Sequence, residues 1–289
     1  MGGLLVEGAI EIEGSLGRLR LIHTTLVPGG GIAEPDPDGP PPAPGPRPPS
    51  IRAAGQAGGE PVNTELRVEM AFSITGQLRL PPTAEGIFAL DSTIDGGDTA
   101  AIRGLGAAAE APGPALHLER TTLIGPAFCR QIDMASEVIF DAPVIAERVQ
   151  TGCVRFSFVA SGSTTPRRYR CQPGLAVRAE LARLAAAGPP LSQAERDAVA
   201  ARVRQRVRPG YTTTRYGDPA YLQLALLGPP EIATGAEDGS EMGVWCHLKQ
   251  PQREANLRRR LQEYLPFGLD AAIIYADARG PEIAEEGQP

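Results

Sequence analysis

Three short segments of this chain share one pattern: Ile22-His23-Thr24-Thr25-Leu26, Leu90-Asp91-Ser92-Thr93-Ile94 and Glu119-Arg120-Thr121-Thr122-Leu123. Each holds a hydroxyl residue, then Thr, then a branched apolar residue, and glycine follows at Gly29, Gly96 or Gly125. The runs around them alternate apolar and polar residues with the period of a strand, as in Leu66, Val68, Met70 and Phe72. Thr93 and Thr122 are 29 residues apart, whereas Thr25 and Thr93 are 68 apart with a proline-rich run between them. Repeated short strands with like residues at matching places suit stacked coils, each pass of the chain lying on the last. The expected fold class is therefore mainly β: a single-stranded right-handed parallel β-helix (a solenoid) followed by a small α-helical C-terminal region. An antiparallel β-sandwich is the alternative, since Thr favours strands in any sheet. It calls for regular hairpin spacing, and the obvious hairpin dipeptides are limited to Asp38-Gly39 and Asp95-Gly96.

The pattern predicts two parts, a solenoid over 1–173 and a helical capping region over 174–289. A proline-rich insertion at about 29–60 interrupts the first; its run from Pro35 to Pro49 can bury almost nothing and is expected as an extended, exposed loop. Residues 132–173 form its last strands and end in the basic turn Arg167-Arg168-Tyr169-Arg170. Beyond Pro173, Leu175, Val177, Leu181 and Leu184 fall at helical spacing, and Pro189-Pro190 stops the run. Ser192 and Glu195 form a capping box for a second helix, and Gln252–Leu265 reads as a third. Leu269–Ala276 reads as a final strand or helical turn, and the last ten residues as a disordered tail. A stack of strands exposes an unpaired edge at its end, which the helices are expected to cap.

The net charge of -6 argues against a general binder of nucleic acid or of anionic membranes. Lys249 is the single lysine among 28 basic residues, a bias in keeping with a GC-rich bacterial genome. No apolar run is long enough to span a bilayer, and the start carries Glu7 in place of a basic leader, so the chain is expected in the cytoplasm as synthesised. Cys129, Cys153, Cys171 and Cys246 form no C-x-x-C pair, and no metal or cofactor is expected. Cys153 and Cys171 lie 18 residues apart and are expected as buried thiols on neighbouring passes.

The most enzyme-like cluster is Asp91, Asp95 and Asp98, with Arg103 or Arg130 as a nearby cation. Paired carboxylates on one strand face could serve as acid and base in glycoside chemistry. The same Asp-Ser-Thr-Ile-Asp-Gly-Gly-Asp string is also an ordinary turn composition. His23 and His117 sit in strand segments, His247 follows Cys246 directly, and no G-x-S-x-G supplies a nucleophile elbow. Arg167, Arg168 and Arg170 form a possible interface, with the acidic loop at Glu237, Asp238 and Glu241 as the expected internal ion-pair partner.

The segments GCVRFSFVASGSTTPRRYRCQP, TTTRYGDPAYLQL and GAEDGSEMGVWCHLKQPQREANLRRRLQEYLPFGLDAAIIYAD, spanning about residues 145–276, resemble the C-terminal part of uncharacterised bacterial β-helix-containing proteins. Those are associated with phage-tail-like contractile injection gene clusters. The resemblance implies a non-enzymatic structural or adhesive role as an accessory component of a phage-tail-like particle, with protein partners from that assembly and incorporation into it. Two alternatives stand beside it: a carbohydrate-active enzyme, lyase or hydrolase, using the aspartates, and a scaffold that binds partners through the proline-rich loop.

Overall fold

The computed structural model describes residues 1–31, 48–108 and 110–272. The expected exposed loop around Pro35–Pro46, the end of the expected last element and the tail lie outside them. Almost all strand pairing is parallel, and it forms two large sheets. A seven-stranded sheet runs through Leu5–Val6, Thr25–Leu26, Ile74–Gly76, Thr93–Asp95, Thr122–Ile124, Ile139–Phe140 and Phe158–Val159. A twelve-stranded sheet begins at Ile10–Ile12, passes through Ile51–Ala53, Leu78–Arg79 and Ile102–Arg103 to Ala127–Ser136, and returns through Ala115–Glu119, Gly86–Leu90 and Arg67–Ala71 to Arg18–Ile22. Val144–Arg148 and Cys153–Arg155 branch off Ala127–Ser136, and Arg167–Tyr169 pairs with Cys153–Arg155.

This corrects the expected single-stranded β-helix. A solenoid deals its strands to separate stacks, whereas here the twelve strands are one continuous sheet. Ala127–Ser136 makes it continuous: its 10 residues pair with Ile102–Arg103 and Val144–Arg148 at one end and with Ala115–Glu119 and Cys153–Arg155 at the other. At about 3.3 Å per residue such a strand is long enough to serve both arms. Because both arms end on strands from the start of the chain, the sheet curls into a half-barrel facing the seven-stranded sheet. The sandwich alternative fails as well, since its pairing would be antiparallel. Short alternating strands fit each of these sheets equally; the length of Ala127–Ser136 chooses between them.

The core lies between the sheets. In-register columns such as Leu21, Met70, Ala89, Leu118, Ala135 and Val154 fill it from one arm. Ile51, Leu78, Ile102 and Val144 fill it from the other, and Leu26, Ile94, Leu123 and Phe140 from the seven-stranded sheet. Ile51 and Ala53 are fully buried, so the insertion is narrower than the 29–60 expected: flanking prolines hide a core strand.

Between the second arm and the seven-stranded sheet the chain bends at a row of residues with positive φ: His23, Phe72, Asp91, Arg120, Glu137, Phe156 and Arg170, at 45° to 61°. Non-glycine residues enter this region at a cost of about 1–3 kcal/mol each unless their surroundings hold them there. At five of these seven bends the next residue supplies the hold. The hydroxyls of Thr24, Ser73, Ser92, Thr121 and Ser157 donate back across the bend to the carbonyls of Ile22, Ala71, Leu90, Glu119 and Arg155, at 2.6 to 3.1 Å. Several also accept a backbone N–H from the neighbouring bend, as Ser73 Oγ does from Thr24 (3.2 Å) and Ser92 Oγ from Ser73 (3.1 Å).

Helices α1 (Gly174–Ala187), α2 (Gln193–Arg206), α3 (Pro230–Ala233) and α4 (Gln250–Tyr264) follow. The Ser192–Glu195 capping box opens α2 with both reciprocal bonds formed. The helical part packs on the outward face of the seven-stranded sheet, where Ala176, Val177, Val203, Ile232 and Met242 meet Ile139 and Phe158. The last strand, Arg167–Tyr169, is exposed throughout.

Replacing Ser73 by Ala strands the buried Thr24 N–H and unties its own bend. We expect a loss of about 1–3 kcal/mol in chemical denaturation, against no measurable loss for Ser15→Ala on the exposed surface.

Candidate functional site

A cluster of titratable groups lies along this row of bends. Asp91 is buried, and Arg120 from the adjacent bend grips it with two bonds, Nε to Oδ1 at 2.8 Å and Nη2 to Oδ2 at 3.2 Å. Arg120 Nη1 also bonds Glu119 and stands 4.0 Å from Glu137 Oε2. The bond to Asp91 raises the Arg120 guanidinium above its ordinary range.

A segment from the far C-terminal part lies over these bends. Gly243 N–H donates to the Glu137 carbonyl (2.7 Å), Val244 N–H to Thr122 Oγ1 (3.0 Å) and Glu237 N–H to Glu137 Oε1 (3.1 Å). Gly243 is required there: its φ is +86°, and a Cβ would stand 2.5 Å from Thr122 Oγ1. His247 follows, its Nδ1 3.0 Å from the Val244 carbonyl and 3.7 Å from Asp91 Oδ1. Its ring meets Phe72 edge-on at 5.7 Å, and Phe72 stacks on His23 at 5.0 Å. The line from His23 to Glu137 is thus a seam between sheets and C-terminal segment.

Chemically, the seam is a fastening. Cys246 lies 3.9 Å from Glu137 Oε2, but burial, then that carboxylate, pushes its thiol up to about 12, far from a nucleophilic thiolate. Glu241 is buried too, and burial alone raises its carboxyl to about 7.

The three aspartates do not converge. Asp91 belongs to the seam, and Asp95 accepts from Tyr221 Oη at 2.5 Å and from the Gly97 N–H at 2.8 Å. Asp98 is exposed. The cation at Asp91 is Arg120; Arg103 instead bonds the Gly106 and Ala108 carbonyls and Arg130 the Pro82 carbonyl. His117 stacks on Phe88 on the outward face of the second arm, at 5.6 Å.

Arg167 and Arg168 lie on the exposed last strand, with Arg170 at the bend after it. Arg168 bonds Thr165 Oγ1 (2.7 Å) and the Ser163 carbonyl (2.9 Å), and Arg170 stands over the Phe156 ring at 5.9 Å. Their expected partner is taken by others: Glu237 pairs with Arg155 at 3.6 Å and Asp238 with Lys249. Cys153 is half-buried on the outward face while Cys171 points inward and donates to the Val154 carbonyl at 3.3 Å, so the two thiols do not stack. Sequence reasoning missed Glu137, Arg120 and the 237–247 segment as one site. The signal was there in part, since Arg120 fills the place in its motif that Asp91 fills in the neighbouring one.

The outward face of the second arm is open. Glu69 ties Arg18, Arg20 and Arg67 at 3.4, 3.0 and 3.6 Å, beside a hollow of about 850 Å³ that Arg18, Glu65, Arg67, Glu85 and Arg130 line. No helix among the described residues is long and apolar enough to cross a membrane. No family model, curated protein or solved structure matches the chain.

Removing Arg120 leaves Asp91 as an unpaired buried charge. Arg120→Ala is expected to cost about 3 kcal/mol, and Lys249→Ala, which breaks a half-exposed pair, under about 1 kcal/mol; urea denaturation of both variants checks this. Glu241 gives a pH test. Its carboxyl is at about 7 when folded, above the ordinary 4.5, so the folded state holds a proton that the unfolded state has released. Stability from this group is therefore full below about 4.5 and falls as pH rises towards 7. Glu241→Gln should flatten that fall and stabilise the protein above neutral pH by on the order of 3 kcal/mol, read from melting temperatures across the range.

Proposed function

We propose that the chain is a non-enzymatic structural or adhesive component of a larger assembly, of the phage-tail-like kind that its C-terminal segments resemble. One observation carries this reading. The groups best suited to chemistry, Asp91, Arg120, Glu137 and Cys246, hold the C-terminal segment to the sheets, while rows of charged and aromatic side chains face outward at fixed spacing. Parallel strands in register make those outward rows rigid, which suits a surface that binds or packs against other molecules. Its partners are then proteins of the particle, and the exposed strand Arg167–Tyr169 is a place for one of them, because an edge strand offers unpaired backbone groups.

The enzymatic alternative needs two carboxylates that share a substrate, and Asp91 and Asp95 instead hold different partners. The scaffold alternative rests on a loop whose proline-rich run lies outside the described residues.

Affinity purification of the full chain from cells that make a contractile particle should bring down sheath or baseplate proteins. Turnover of an acidic polysaccharide that vanishes in a folded Asp95→Asn variant would sink the reading.

A further inference from the structure

The first arm of the twelve-stranded sheet carries a feature that the seam leaves unexplained. Arg52, Arg79 and Arg103 occupy one register column of three adjacent parallel strands, Arg52 beside Arg79 and Arg79 beside Arg103. Strands lie about 4.8 Å apart, so the three arginine side chains leave the sheet at that interval. Like charges directly opposite in a sheet repel. None of the three arginines forms an ion pair among the described residues. The nearest acidic neighbour in the column is Glu11, at its far end beside Arg52.

The hydrogen bonding of the row is also incomplete. Arg79 Nη2 reaches the Leu105 carbonyl at 3.4 Å, and Arg103 Nη2 reaches the carbonyls of Gly106 and Ala108 at 3.1 and 3.3 Å. The Nε–H groups of Arg79 and Arg103 are buried and have no hydrogen-bond partner. A buried donor left without a partner is unfavourable. Arg79 is also held below the usual guanidinium range, by burial first and then by Arg103 and Arg52. Here, then, a chain of net charge -6 concentrates uncompensated positive charge. A row of oxyanions at the outer guanidinium nitrogens would relieve the repulsion, since guanidinium is well shaped to hold carboxylate or sulfate.

We infer that this column is a binding site for an acidic polysaccharide, one that carries an anionic group on each sugar or on most of them. The repeat of the ligand must approach the strand spacing, and a sugar residue in an extended chain is close to it in length. This inference rests on the adhesive reading and gives it a ligand class: the anionic glycans of a cell surface.

The test is isothermal titration of the full chain with a polygalacturonate oligomer, with dextran, inorganic phosphate and single-stranded DNA run in parallel. Binding of polygalacturonate that weakens with salt, at least tenfold weaker in Arg79→Gln, and no binding of dextran, is the expected result. In the free protein Arg79→Gln should leave the melting temperature unchanged or raise it, because a repulsion is removed. A lowered melting temperature would mean that the chain itself already satisfies the row, and would overturn the inference. So would polygalacturonate binding that Arg52→Gln and Arg79→Gln leave intact, or tighter binding of DNA or of phosphate alone. If polygalacturonate fails to bind while sheath or baseplate proteins still co-purify, the ligand is wrong and the structural reading stands.

Discussion

The left-handed bend is the constraint on which the rest of this structure depends. A chain that must cross repeatedly from one parallel sheet to another has to reverse its course in very few residues. Here it does so by placing a single non-glycine residue at positive φ, from His23 through Arg170. Each such residue is unfavourable in isolation. At five of the seven bends what fixes it is the hydroxyl one position later, which closes the bend onto a carbonyl two residues back and, at several bends, accepts the N–H of its neighbour. The bends thus support one another in a line, and the strands on either side inherit their register from it.

That line also explains where the charged residues collect. A side chain at positive φ points out of the turn, away from both sheets' cores, so successive bends set their side chains side by side. Asp91 beside Arg120 and Arg120 beside Glu137 alternate in sign, and the alternation becomes a buried ion cluster once the 237–247 segment covers it. Burial makes such a cluster sensitive to the loss of any member. Phe72 and His23 continue the line as stacked rings where the cover ends. On the first arm, by contrast, the column of Arg52, Arg79 and Arg103 has no such cover of opposite sign among the described residues, which is why we infer a binding face there.

Much of the strand content was legible from period-two alternation, and the three hydroxyl-threonine motifs do mark equivalent places, since Thr93 pairs directly with Thr122. The motif was read as strand composition, however, when its first three residues are a bend. Positive φ at Arg120 leaves no trace in residue type, and at His23 and Asp91 only a weak one, since His and Asp enter this region more readily than most residues but none of the three is glycine. The bend at Phe72-Ser73 and the one at Phe156-Ser157 were missed since an aromatic residue there looks like one more strand position. Ile51–Ala53 was lost among prolines for a related reason: three residues are too few to show a period.

Local chemistry by itself determined the short strands, the helices after Pro173 and the Ser192–Glu195 cap, because alternation, helical spacing and reciprocal capping are properties of neighbours in the chain. The tertiary structure decided the rest. Whether parallel strands make separate stacks or one curled sheet depends on Ala127–Ser136 reaching partners on both of its ends. Whether Asp91 is a catalyst or a fastener depends on Arg120, 29 residues away, and on the cover from residues 237–247. The row of Arg52, Arg79 and Arg103 exists only through register, which joins residues far apart in the chain at the distance between neighbouring strands.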